Sequence, residues 1–239
     1  MSIVPIYGLP GVRGLLTANH RTVFLQSGPL VNLAGGRQIN GTLSRDPGNV
    51  GDEGKLRAGL IMGLITATGL YRPSFWGVSN LAYAYNDTTI QIDLATATEI
   101  ARAKVAGGGG NLSGFFIGPP AAAGVVASTA ITITAVTLNG ATSTITTGDL
   151  NLNKVAGSFI GPADGAQVPK IMLPDGYPIS AVDGSGNSIN VPFPFMPVWA
   201  IVESTKLLPA WPADASLQAY LTDNLSTLAG GKYSFSHKY

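Results

Sequence analysis

Apolar and polar residues alternate through SNLAYAYNDTTIQI, residues 79–92, on both sides of Asn86-Asp87. A strand turns successive side chains to opposite faces, so this period of two predicts a hairpin. ITITAVTLNGATSTITT, residues 131–147, repeats the pattern around Asn139-Gly140, the strongest short-range hairpin signal in the chain. The period changes in DLATATEIARAKVAGGGG, where Leu94, Ala97, Ile100, Ala101 and Lys104 or Val105 share one helical face. Asp93 can cap that helix and Gly107 can end it, which predicts a helix near 93–106. A second helix is predicted at 213–229, capped by Asp214 or Ser216, with Leu217, Tyr220, Leu221, Leu225 and Leu228 as its apolar face and Gly230 as its stop.

RAGLIMGLITATGLYRPS, Arg57 to Ser74, carries no charge between Arg57 and Arg72. Thr66, Thr68 and Gly69 interrupt it well short of the ~20 apolar residues that a membrane helix needs. Its three glycines each cost a soluble helix about 1 kcal/mol. It therefore reads as two short buried strands, near 60–62 and 64–68, with glycines at a bend and a turn. The uncharged run Ile117 to Leu138 contains Pro119, Pro120 and then alternating threonines, which also predicts strands. Pro192, Pro194 and Pro197 in VPFPFMPVWAIVE place that segment at an edge or surface.

KVAGGGGNLSGFFIGPPAAAG from Lys104 and KVAGSFIGPADGAQ from Lys154 share KVAG and a later G-[FS]-F-I-G-P. This loose repeat predicts two related β units that pack together. Residues 1–50 are rich in Gly, Pro and Asn, with one apolar segment at Thr22–Leu25, and read as an extended N-terminal arm and loops. The remainder, 51–239, reads as one β-rich domain. The expected fold class is mainly β (α+β), a β-sandwich or barrel-like domain with hairpins and one or two short helices.

Composition narrows the function. Charged residues are 11% and the formal net charge is +1, so the basic field that nucleic-acid binding requires is missing. Hydrophobic residues at 45% argue for a folded chain. With no cysteine the chain has no disulfides or thiolate metal sites, and MSIVPIYGLPGVRG lacks the pattern of a secretory signal; both suit synthesis in a reducing cytoplasm.

Catalytic patterns are equally sparse. His20 and His237 stand beside basic residues in terminal segments, and no G-x-S-x-G, H-E-x-x-H or phosphate-loop pattern occurs. Asp164, Asp175 and Asp183 each precede a glycine, which is a turn signal. DGSGNSINVPFP begins like a calcium loop at Asp183, but its sixth position is Ser188 and its twelfth Pro194. The residues call for no cofactor, no metal and no enzymatic activity.

GKLRAGLIMGLITATGLYRPS resembles the segment of phage head decoration proteins in which a basic residue precedes an A-G-x-[IV]-x-G strand and then x-T-x-T/S-G-x-[YK]. VAGSFIGPADGAQVPKIMLPDGYPISAVD resembles their later β-rich part, with its Asp-Gly turn, apolar strand and second turn. The resemblance covers about a third of the chain, and neither the uncharged 105–148 block nor the C-terminal helix has a counterpart in it. It implies a cement protein on the capsid exterior that binds the major capsid protein as a homotrimer, with no nucleic-acid or membrane partner. Ile3, Val4, Pro5, Ile6 and Tyr7 then form the candidate docking arm, an apolar extended segment able to add to a sheet edge on a neighbour or on the capsid protein. The alternative is a head-fibre or tail module that recognises host glycans through Trp76, Tyr83, Tyr85, Trp199 and Trp211. A hydrolase using a pair of the aspartates is a third reading.

Overall fold

The computed structural model describes residues 31–33, 37–120, 129–148, 150, 153–179, 182, 184–185, 188–193, 196–204, 207–225 and 232–236. They form a mainly β, α+β fold with two α-helices, and none of the described sheets closes into a barrel.

At the centre β8 (Leu112–Pro120) and β12 (Lys154–Pro162) pair antiparallel, flanked by β9 (Thr129–Ile133) and β6 (Gly77–Val78). These two inner strands carry the two copies of the repeat. Ile117 stands opposite Ile160, Phe116 opposite Gly161, and Gly118 opposite Phe159. Equivalent positions thus exchange across a local two-fold axis through the isoleucine pair. Each copy also begins at a glycine in the left-handed region, Gly114 (φ 78°) and Gly157 (φ 83°), where its ladder slips register. A bulge with a left-handed first residue favours glycine, which has no Cβ to clash there.

Alternation along these strands feeds two cores. Phe116 and Phe159 point to one side, where they meet Phe75, Met172 and the buried face of α2 (Ala215–Asn224). Phe115, Ile117 and Ile160 point to the other. There they meet Ile100 of α1 (Leu94–Ala106), Ile90 and Ile92 of β7 (Thr89–Ile92), and Ile145 of β11 (Ser143–Thr146). β7 and β11 form a second sheet with β10 (Ala135–Thr137), so this half of the molecule is a sandwich.

A third core, with Ile39, Met62, Tyr71 and Ile171, belongs to a five-stranded sheet. Its order is β13 (Pro169–Met172), β4 (Ile61–Leu64), β5 (Tyr71–Pro73), β2 (Arg37–Ile39) and β15 (Val191–Phe193). Beside it β3 (Lys55–Leu56) pairs with β14 (Tyr177–Pro178). A separate three-stranded sheet joins β1 (Val31–Leu33), β16 (Met196–Glu203) and β17 (Lys232–Ser236). No helix among the described residues is long and apolar enough to cross a membrane.

Several expectations need correction. Only one strand forms between Leu60 and Thr68. Ile65 to Leu70 is a turn closed by Gly69 N–H donating to Ile65 O (2.9 Å), and Thr66 and Thr68 are exposed in it. The 79–92 hairpin exists at its base, through the Ser79–Ile92 bridge, and at its tip, where Asn86 is left-handed (φ 76°). Between them Tyr83 exchanges two 2.8 Å backbone bonds with Lys154, which draws that arm away from β7. β15, with Pro192, is an edge strand as expected, but β16 is the middle strand of its sheet. Its described proline, Pro197, sits near the strand start, where a missing N–H costs little. The hairpin at Asn139-Gly140 forms as read, with Val136 opposite Ile145 and a short 3-10 turn at Gly140–Thr142.

Both helices are capped by the expected aspartates. Asp93 accepts from Thr96 N–H (2.9 Å), and Asp214 from Ser216 N–H (2.8 Å) and Leu217 N–H (3.2 Å). α2 buries Leu217, Tyr220, Leu221 and Leu225 but ends at Asn224, because Leu225 is already extended. α1 buries Thr96, Ala97 and Ile100, and leaves Leu94 and Val105 outside. Thr96 can go inward because its hydroxyl donates to Trp76 O (3.1 Å) and so satisfies a buried polar group.

Candidate functional site

The docking-arm residues Ile3, Val4, Pro5, Ile6 and Tyr7 lie outside the described residues, as do the Thr22–Leu25 segment, Asp183, His20, His237 and Leu228. The later part of the segment read as arm and loops enters the fold: β2 sits inside the five-stranded sheet and Ile39 is fully buried.

The two aspartates that can be placed act on backbone. Asp164 accepts from Ala166 N–H (3.1 Å) and Asp175 from Gly176 N–H (2.7 Å), which is the local bonding that turns an Asp-Gly corner. Among the described residues no three of His, Cys, Asp and Glu converge. Of the candidate sugar platforms, Trp76 and Tyr83 belong to the core between sandwich and helix, and Trp211 packs against the core under α2. Tyr85 is 56% exposed.

A cleft of about 800 Å³ lies between α1, the 41–54 loops and the start of β8. Its wall is ionic, yet every charge on it is answered. Arg45 meets Glu99 at 3.2 Å, Arg102 meets Glu99 at 3.4 Å and Glu53 at 3.9 Å, and Arg72 meets Asp164 at 2.9 Å. Arg72 is 6% exposed; burial pushes its pKa below the usual arginine value, and the charge and hydrogen bond of Asp164 oppose that shift. Its guanidinium carbon lies 5.8 Å from the centre of the Trp76 ring, within cation–π range. Arg72 Nε and Trp76 Nε1 find no hydrogen-bond acceptor among the described residues, but both are buried and so present nothing to an incoming group. The cleft is a clamp between segments and holds no surplus charge for an anion.

The two segments that resemble decoration proteins come together here. Met62 of β4 stands opposite Ile171 of β13, and Leu56 of β3 opposite Tyr177 of β14. Thr66 N–H donates to Asp164 O (3.0 Å), and the Arg72–Asp164 pair locks the same junction. Gly63 shows why the motif needs glycine: a Cβ there would lie 1.9 Å from Ala166 O. Arg57, the basic residue of the motif, forks onto Asp46 through Nε and Nη2, both at 2.8 Å. Such bidentate pairs fix geometry as well as charge. Asp46 and Glu99 were not visible as partners in the sequence, because ion pairing across 11 or 54 residues leaves no periodic trace. The usable signal was the rarity of charge: Arg57 and Arg72 bound a run that carries none.

Comparison with family models, with characterised proteins and with solved structures finds no match to this chain.

Proposed function

We propose that the protein is a phage virion structural protein that decorates and cements the icosahedral head by binding the major capsid protein. One observation carries the reading. The two stretches that resemble head decoration proteins are separated by about 80 residues, yet β4 of the first pairs with β13 of the second and β3 with β14, and the Arg72–Asp164 bridge joins them.

A cement protein works through surfaces. Many copies on one shell turn modest single contacts into stable coverage, because each further contact forms at high effective concentration. On this reading the protein is made in the host cytoplasm and sits on the capsid exterior. It associates as a homotrimer, and Ile3–Tyr7 docks on a neighbour or on the capsid protein.

The test is addition of purified protein to expanded heads that lack it. Saturable binding at a fixed ratio per capsid subunit, with heads that then resist heating, supports the proposal; protein left in the supernatant at all concentrations overturns it. Removal of residues 1–14 is expected to leave the melting temperature nearly unchanged and to weaken attachment at least tenfold. Ordering an arm costs about 1–2 kcal/mol per residue, which only docking contacts can offset.

A further inference from the structure

Two Asn-Gly dipeptides occur in the chain, Asn40-Gly41 and Asn139-Gly140, and the fold treats them in opposite ways. An asparagine before glycine can cyclise onto its own backbone, because the next residue has no Cβ to hinder its amide nitrogen from reaching the side-chain Cγ. Asn40 is closed to this reaction. It is 8% exposed, its Oδ1 accepts from Leu43 N–H (2.7 Å), and Gly41 N–H, the attacking group, donates to Asn190 Oδ1 (3.3 Å). Gly41 is also wedged in place, since a Cβ there would lie 2.1 Å from Ile189 O. Asn139-Gly140 instead stands exposed at the tip of the β10–β11 hairpin. Gly140 N–H meets no acceptor among the described residues, and a Cβ at Gly140 would meet nothing within 4 Å. The side-chain amide of Asn139 is held by one bond, from Nδ2–H to Thr142 Oγ1 (2.9 Å), a hydroxyl on an exposed residue.

We propose that Asn139 is a self-modification site, where the folded protein and water convert the asparagine to aspartate and isoaspartate. Gly140 N bonds to Asn139 Cγ, the Cγ–Nδ2 bond breaks, and the amide leaves as ammonia with the Gly140 proton, which closes a cyclic imide. Water then opens the ring. Attack at Cγ breaks the new bond to Gly140 N and leaves aspartate in an ordinary chain, whereas attack at the main-chain carbonyl breaks the original peptide bond and routes the chain through Cγ as isoaspartate. Either product puts a negative charge into residues 105–148, which carry none. Isoaspartate also lengthens the main chain of the turn that sets Val136 opposite Ile145, so β10, an edge strand, loses the register that the turn fixes. The inference does not depend on the proposed function.

The test incubates the full chain at mildly alkaline pH, folded and in parallel in urea, and follows each asparagine by peptide mapping and mass spectrometry. In urea the two dipeptides are expected to react at similar rates. In the folded protein Asn40 must wait for the structure to open and is expected to slow at least a hundredfold, whereas Asn139 stays within about tenfold of its rate in urea. Both aspartate and isoaspartate are expected at Asn139, separable by chromatography of the peptide. A folded Asn139 slowed more than about tenfold, or no faster than folded Asn40, would overturn the proposal. So would aspartate formed with no isoaspartate, which is the mark of direct hydrolysis without the imide.

Discussion

Residues 104–119 and 154–162 begin with the same four letters and take different structures. Lys104-Val105-Ala106 is the last turn of α1 and Gly107 its cap, whereas Lys154 to Gly157 lies in β12, with Gly157 the left-handed residue of its bulge. KVAG is too short to choose: the first copy continues the register of a helix capped at Asp93, and the second is caught by the backbone of Tyr83. The lysines diverge accordingly. Lys104 reaches across the helix end to Gly110 O, while Lys154 is 1% exposed, with Nζ donating to Thr129 Oγ1 (2.7 Å) and no described carboxylate in reach. Burial pushes the Lys154 pKa down to about 8. The second halves, GFFIGP and GSFIGP, converge on one conformation because both bury a Phe-Ile pair on opposite faces of one sheet. Identity of sequence matters here only where identity of burial accompanies it.

The comparison breaks most sharply at the phenylalanines. Phe116→Ala and Phe159→Ala should each cost about 3–5 kcal/mol in denaturant unfolding, since both rings are almost fully buried. Phe159 also stacks on Phe75 at 4.2 Å, so its loss should be the larger. Lys154→Met should raise stability at pH 7 by about 1–3 kcal/mol, by removing a buried ammonium that burial disfavours. The pH dependence has a definite sign. A lysine whose folded pKa is near 8 and unfolded value near 10.5 binds more protons when unfolded, so wild-type stability should climb from about pH 8. It should fall again above about pH 10, where burial raises the pKa of Tyr71, Tyr83 and Tyr220 and opposes their ionisation in the folded state. Unfolding measured across pH 7–10 should be nearly flat in Lys154→Met. Gly114→Ala and Gly157→Ala should each cost about 1–2 kcal/mol through backbone strain alone, because a Cβ meets nothing within 4 Å at Gly114 and only Leu217 Cδ1 at 3.6 Å at Gly157. Lys104→Met should shift stability by less than about 0.5 kcal/mol, the usual range for a surface change.

The two helices show what the sequence could reveal. In α2 the periodic residues are large, and Leu217, Tyr220 and Leu221 leave no doubt which side is inward. α1 is built of Ala and Thr between scattered larger residues, and two stripes compete. Burial of Thr96 against Trp76 decided between them, a contact 20 residues away that no local pattern encodes. Hairpins were legible where a turn dipeptide and alternation coincided, as at Asn139-Gly140, and failed where a distant strand offered better pairing, as at Tyr83 with Lys154. The clamp around Arg72 was invisible because its partner Asp164 lies 92 residues further on. There Asp-Gly was read as a turn signal, which it also is.

The two-fold match of β8 and β12 bears on how the chain recognises itself. Because the pair presents the same motif from both sides, a strand from another molecule carries much the same chemical credentials as its own. What favours the internal partner is the tether, which holds it at millimolar effective concentration. Where copies are crowded together, that advantage shrinks toward the ambient level, and reciprocal strand exchange between chains becomes a low-cost route to a swapped dimer.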